Sequence, residues 1–179
     1  MNYFSYITTK QNYLKLKISG NHFGGIYNEH KNIPKNNTVE FHLKKINEMN
    51  FEGVNKGNWD LVGSIMDKNV MCRFSNGVVL YGIEQTIDMM MRQVLVWAPD
   101  TKIKEHLIMF GSGNWTCTNF IIEGTFTKPI DLMNGDTLKP NNNKFIMNKC
   151  MINRWFNDLI TEFHIFGDSL EMKRQLNIP

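Results

Sequence analysis

Two stretches in the middle of the chain, Lys102 to Phe110 and Trp115 to Phe126, are rich in Ile, Phe, Met, Thr and Trp and predict strands. Between them Gly111-Ser112-Gly113-Asn114 predicts a turn, since glycine and asparagine accept positive φ at low cost. Setting Phe110 opposite Trp115 fixes an expected register in which Ile108 faces Cys117, His106 faces Asn119, Lys104 faces Ile121 and Lys102 faces Glu123. Alternation puts these residues on one side of the sheet, with Met109, Leu107, Ile103, Thr116, Thr118, Phe120 and Ile122 on the other. His106 and Asn119 then form a polar pair amid apolar neighbours, a pattern that fits a ligand cavity and equally a hydrogen-bonded core pair.

The rest of the chain follows the same logic. Residues 1–37 are polar and predict an extension, flexible or loosely docked. Thr38 can cap a first helix whose apolar face is Val39, Leu43, Ile46 and Met49 or Asn50. Asn55-Lys56-Gly57 breaks it, and Asn58 can cap a short second helix carrying Trp59 and Val62. Val70 to Phe74 and Val78 to Tyr81 predict a hairpin about Asn76-Gly77. From Ile83 to about Trp97 the apolar positions recur at helical spacing, and Pro99 ends the run. Met89, Met90 and Met91 within it read as core filling. After a long loop from Lys128 to Lys144, Phe145 to Trp155 and Leu159 to Phe166 predict a second long hairpin about Asn157-Asp158. Pairing Phe156 with Leu159 places Cys150, Arg154, Asn148 and Ile165 on one face and Met151, Asn153 and His164 on the other. Asp168 and Glu171 have capping-box-like spacing and open a terminal helix. The order is helix, helix, two short strands, helix, four long strands, helix. It lacks βαβ alternation and predicts an α+β fold whose long strands can curl around an apolar cavity.

Composition narrows the function. With 179 residues, 42% hydrophobic and 21% charged, the chain suits one soluble domain and a remainder. A net charge of +3 from scattered lysines gives no nucleic-acid footprint. No apolar run approaches membrane-spanning length, and the first twenty residues lack the apolar core of a secretory signal. The three cysteines, Cys72, Cys117 and Cys150, have no C-x-x-C spacing and are expected as reduced, buried thiols of a cytoplasmic protein. No spaced histidine cluster suggests a metal. No phosphate-cradling glycine loop or G-x-S-x-G suggests a nucleotide or a serine nucleophile, and no cofactor is implied.

The element order, together with Asn58-Trp59-Asp60, Trp97-Ala98-Pro99-Asp100, Gly111 to Thr116, Glu123 to Pro129, Cys150 and the ending Met172 to Ile178, resembles the SnoaL-like proteins of the NTF2-like superfamily, often labelled polyketide or ester cyclases. The likeness runs from about Thr38 to the C-terminus. It implies a cone-shaped α+β barrel, its curved antiparallel or mixed sheet carrying helices on the concave face. It also implies an internal pocket for a small hydrophobic molecule and a homodimer formed through the sheet. The cyclases of that group resemble one another in using an aspartate on the last strand as acid/base for an intramolecular aldol closure. Counting back from Asp168, Ile165 stands there, and isoleucine carries no proton, which leaves a different base or no catalysis.

Each candidate residue has a plainer role beside the chemical one. His106 is the candidate base, an imidazole that partial burial can poise near neutral pH. Asn119 or Asn148 can hold a carbonyl oxygen, and Trp59, Phe74, Trp97 and Trp115 can line the cavity or form plain core. Asp168 reads as a helix cap, Glu123 as a cross-strand partner of Lys102, and His164 as an outer-face residue. Arg154 can meet an anion or lie at the sheet end in water. Two functions fit: a cofactor-independent cyclase, dehydratase or isomerase acting next to a carbonyl, and a non-catalytic small-ligand-binding or dimeric interaction module.

Overall fold

The computed structural model describes residues 39–131 and 135–178. The expected extension over 1–37 and the cap at Thr38 lie outside these residues. Helix α1 (Val39–Glu48) buries His42, Leu43 and Ile46, then widens into a π-helical turn at Met49–Gly53 whose Met49 and Asn50 are also buried. Gly57 ends this segment with φ +66, a left-handed conformation that favours glycine. Asn58 caps α2 (Trp59–Ser64) as expected, its Oδ1 accepting from the Leu61 N–H at 3.1 Å. Strand β1 (Met66–Phe74) starts four residues earlier than its expected bound, and β2 (Val79–Tyr81) returns beside it. Helix α3 (Ile83–Met90) continues through a π-helical stretch, Met91–Leu95.

Strands β3 (Lys102–Ser112) and β4 (Trp115–Thr125) form the central hairpin. A small ribbon, β5 (Ile130–Asp131) with β6 (Thr137–Leu138), interrupts the long loop that the sequence leaves unstructured. Strands β7 (Lys144–Phe156) and β8 (Leu159–Gly167) form the second hairpin, turning at Asn157 and Asp158 with φ of 49 and 62. Helix α4 (Ser169–Leu176) opens on Asp168, whose Oδ1 accepts from the N–H groups of Leu170 and Glu171 at 3.0 Å each. The cap read from the spacing is therefore the role the structure shows for this carboxylate.

The six long and short strands make one curved, mixed sheet in the order β2-β1-β8-β7-β4-β3, parallel only where β1 meets β8. The architecture is the expected α+β cone of NTF2-like type, with the sheet open at its edges instead of closed into a barrel. One face collects the core: Phe120 and Ile122 from β4, Phe145, Met147, Met151 and Trp155 from β7, Ile160 and Phe163 from β8, Val70, Cys72 and Phe74 from β1. The helices cover this face. His42 of α1 stacks on Trp155 with ring centres 4.3 Å apart and planes 5° from parallel. Where β8 has run out, α4 takes over the edge of β7, and Gln175 exchanges two hydrogen bonds with the Ile146 backbone at 2.8 and 3.0 Å.

The register departs from simple alternation in ways that decide the site. The turn of the central hairpin tightens to Gly113-Asn114, so Ser112, not Phe110, lies opposite Trp115, and Phe110 faces Cys117. Two bulges in β3, between Ile103 and Glu105 and between His106 and Ile108, absorb the two-residue offset and restore the expected Lys102–Glu123 pair. Between the bulges the faces swap. Ile103, His106 and Met109 point inward at a spacing of three, and His106 lies opposite Phe120 instead of Asn119. A further bulge between Arg154 and Trp155 shifts the second hairpin by one, so Ile165 faces Met151 on the inner side, while Cys150 and Arg154 are on the outer side. The expectation that Ile165 shares a face with Asn148, Cys150 and Arg154 is corrected by this shift.

Candidate functional site

A cavity of about 80 Å3 lies between the concave face and the helices, partly open to solvent. Its floor is Phe120, Ile122, Lys149, Met151, Phe163 and Ile165 from β4, β7 and β8. Asn50, Val54 and Trp59 cover one side, Phe74, Met90 and Val94 another, and Thr101, Lys102 and Ile103 stand at the edge. The walls are mostly apolar, and no aspartate or glutamate is among the described residues that line them.

The expected site residues divide. Trp59, Phe74 and Ile165 do line this space. Trp97 is buried elsewhere, packed edge-on to Phe126 at 5.7 Å and against Phe145 at 5.3 Å. Trp115 is 41% exposed on the outer face, beside His164 and under the Arg154 guanidinium. Asn119 and Asn148 also sit on the outer face, where the Asn119 amide donates to Asn148 Oδ1 and to the Lys149 carbonyl at 3.1 Å. Bulges separate them from the cavity, so the expected His106–Asn119 pair does not exist. Arg154 spends its charge on Glu162 at 2.7 Å, with His164 3.4 Å from the same carboxylate.

His106 has moved to the inner face but not into the cavity wall. It is 8% exposed, between Phe51 and Phe120, and its Nε2 accepts from Asn50 Nδ2 at 2.9 Å. Burial pushes its pKa down to about 4, so the ring is neutral at physiological pH. It reaches the cavity only through Asn50, which does line it.

The residue that pattern reading missed is Lys149. On β7 it points inward among Phe145, Met147, Met151, Asn153 and Trp155, opposite Phe120 on one side and Gly167 on the other. Its Cδ and Cε lie 3.2 Å from the position a Cβ on Gly167 would take, so the missing side chain of Gly167 is what lets the lysine lie flat across β8. Among the described residues no hydrogen bond or ion pair engages its Nζ, and burial lowers its pKa from the ordinary lysine value. The other polar wall groups are occupied: Thr101 Oγ1 donates to the Ala98 carbonyl at 2.6 Å, and Lys102 pairs with Glu123 at 3.5 Å. A lysine breaking an otherwise apolar alternation from Phe145 to Met151 is the signal that could have found it. Among the described residues no group of three or more His, Cys, Asp or Glu could hold a metal ion.

The cysteines are free; Cys72 is buried, and burial pushes its thiol up to about 12. Cys117 and Cys150 are instead half-buried on the outer face with sulfurs 3.6 Å apart, which corrects the expectation that all three are buried. No helix among the described residues is long and apolar enough to cross a membrane.

A curved mixed sheet under helices, with a small apolar hollow between them, defines the class as NTF2-like. The model of the SnoaL-like polyketide cyclase family matches residues 44–176, and the chain belongs to that family. No curated protein matches the sequence. Among solved structures the fold is similar to a candidate SnoaL-like polyketide cyclase from Jannaschia sp. CCS1, with 14% identity, a TM-score of 0.69, and 83% of this chain and 99% of that one covered. It is also similar to IdmH, a candidate polyketide cyclase from Streptomyces antibioticus, at 16% identity and TM-score 0.64, covering 76% and 99%. An LEH-like epoxide hydrolase of M. tuberculosis matches at 9% identity and TM-score 0.55, covering 76% and 89%.

Proposed function

We propose that the protein binds a compact, apolar carbonyl compound in its cone and acts next to that carbonyl without a cofactor, as a SnoaL-type cyclase, isomerase or dehydratase would. The observation that carries the reading is the combination of an apolar hollow with an amino group on its floor, that of Lys149, which no partner among the described residues engages. Apolar walls with a few convergent polar groups are how small-ligand sites are built. A cation held in a low-dielectric site stabilises negative charge that develops on a carbonyl oxygen as an adjacent proton leaves. The space is about half the ~150 Å3 apolar void that accepts benzene, and because it is partly open a small ring or short chain can seat in it with part of its surface outside, whereas a polycycle would stay mostly unburied.

The test is thermal unfolding with cyclohexanone, cyclohexanol and cyclohexanecarboxylate. Saturable stabilisation is expected, about 2.7 kcal/mol at a hundredfold excess over Kd, and it is expected to vanish when Ile165→Phe fills the floor. If none of the three shifts the transition, the small-molecule reading fails.

Ile165 favours the second reading, a non-catalytic small-ligand binder, because the inward position that the family resemblance gives to an aspartate holds a hydrocarbon. Ligand stabilisation without conversion of any β-dicarbonyl substrate would support it.

We also infer a homodimer through the outer face of the sheet. Ile108, Phe110, Ile146 and Phe166 are each 39% exposed or more there. Ile108, Asn119, Cys150 and Phe166 form a continuous row across β3, β4, β7 and β8. A second copy of this face would cover that apolar surface.

A further inference from the structure

We propose that Lys149 is a nucleophile, and that the cavity takes small apolar ketones and β-diketones by forming a Schiff base at its Nζ. This deepens the proposed function and rests on it, since the carbonyl compound must first enter the cone.

The amine is placed for it. Its stem crosses the inner face between Phe120 and the bare backbone of Gly167, and it forms part of the cavity floor with Ile165 and Met151. Among the described residues neither wall nor floor offers a carboxylate to hold it as an ammonium. Among the described residues the other cation at the site, Lys102, stands at the edge and is paired with Glu123. Lysines in such apolar pockets are activated because burial raises the share of neutral amine, with its free lone pair, above that of a lysine in water.

The chemistry balances without any further reactant. The Nζ lone pair attacks the carbonyl carbon and the C=O π pair moves to oxygen. Proton transfer gives a carbinolamine. Nitrogen's lone pair then expels the oxygen, which leaves as water with both former N–H hydrogens, and a C=N bond remains. With a β-diketone the imine tautomerises: a proton from the carbon between the two carbonyl groups moves to nitrogen, giving a conjugated enaminone. Among the described residues no carboxylate lines the cavity, so the imine nitrogen itself takes up the proton of a neighbouring C–H, whose electron pair becomes the C=C bond of the enamine. This gives the fold a route to carbanion chemistry that does not use a last-strand aspartate.

The test uses the full chain and 2,4-pentanedione, read by intact mass and peptide mapping. The expected result is one adduct, of the diketone less one water, at Lys149, formed well ahead of labelling at exposed lysines. Each unit by which its pKa falls gives about tenfold more free amine. Cyclohexanone followed by borohydride should fix a secondary amine at the same residue. Lys149→Met should lose the adduct, and should that variant fail to fold, Lys149→Arg, which keeps the charge without an attacking amine, should lose it too. Labelling spread evenly over surface lysines, or the same fast adduct of the diketone less one water persisting in either variant, overturns the proposal. Cyclohexanol separates the two readings: if it stabilises the protein while 2,4-pentanedione leaves Lys149 unlabelled, the pocket stands and the nucleophile falls. If neither acts, both fall.

Discussion

Lys149 on β7 and Gly167 on β8 are register partners, and the lysine stem lies 3.2 Å from the point where any larger residue at 167 would place its Cβ. One strand thus supplies the amine and its neighbour supplies the room for it. The pair also marks the end of β8, where the strand gives way to the Asp168 cap and α4 takes over the edge of β7. The position of the amine in the cone therefore depends on where the last strand stops.

Gly167→Ala should keep the fold and disturb the site. The nearest neighbours of the new methyl are all in the flexible end of Lys149, which can yield by a few tenths of an ångström. Stability is expected to change by less than about 1 kcal/mol, while affinity for cyclohexanone falls several-fold as Nζ is pushed aside. Calorimetry and thermal unfolding on the same sample check this; unchanged affinity would remove Gly167 from the argument.

Lys149→Met should stabilise the protein near neutral pH. The folded state holds the ammonium in an apolar place, which burial makes costly, as its lowered pKa records. Below the folded pKa the wild type bears that whole cost, because the unfolded chain keeps its proton at the ordinary lysine value. As pH rises from the lowered folded value toward the ordinary lysine value of 10.5 the folded state sheds the proton first, and the cost disappears. The advantage of Lys149→Met over wild type is therefore expected to shrink from pH 7 to pH 10.5. The other cavity cation, Lys102, is common to both proteins and drops out of the difference. A gain that is flat with pH would contradict the burial argument.

His106 should make the protein acid-sensitive. Its folded pKa is about 4 against 6.5 for the unfolded chain, so between those values the unfolded state binds a proton that the folded state refuses. Stability present above pH 6.5 is lost as pH falls toward 4, by up to about 3 kcal/mol, and the loss levels off below. His42 is lowered by burial too, so the measurement is the difference between wild type and His106→Gln from pH 4 to 7. His106→Gln should also leave labelling of Lys149 within about twofold of wild type, an effect under 0.5 kcal/mol, because the ring stands behind Asn50.

Phe166→Glu should yield a monomer. The residue is 43% exposed in the outer row beside Cys150, and a charge in an apolar self-complementary face repels its own copy. Light scattering should show the wild type at twice the mass of the variant at the same concentration. A wild type that stays monomeric at high concentration defeats the dimer through this face.

Local chemistry was legible along the chain. The caps at Asn58 and Asp168, the turns at Asn76-Gly77 and Asn157-Asp158, the α3 stripe and the pairing of Lys102 with Glu123 all depend on neighbours a few residues away or on the ends of one hairpin. The family likeness was legible too, carried by short blocks that the match over residues 44–176 includes except for the last two residues of the final block. The site was half legible. Trp59, Phe74 and Ile165 were placed in the cavity. Asn119, Asn148 and Trp115 were drawn there by an alternation that three bulges interrupt, and Lys149 was overlooked because its strand was followed along the outward set.

The sequence by itself determined which long segments are helix or strand and the α+β class, because capping, turn preference and hydrophobic period are short-range effects. Only the tertiary structure decided which side of each strand became the inside. A bulge adds one unpaired residue where a curved sheet must bend, and that one residue exchanges the two faces beyond it. Curvature is a property of six strands packed against helices, so the chemistry of Lys149 and the displacement of His106 behind Asn50 appear only once the sheet is folded.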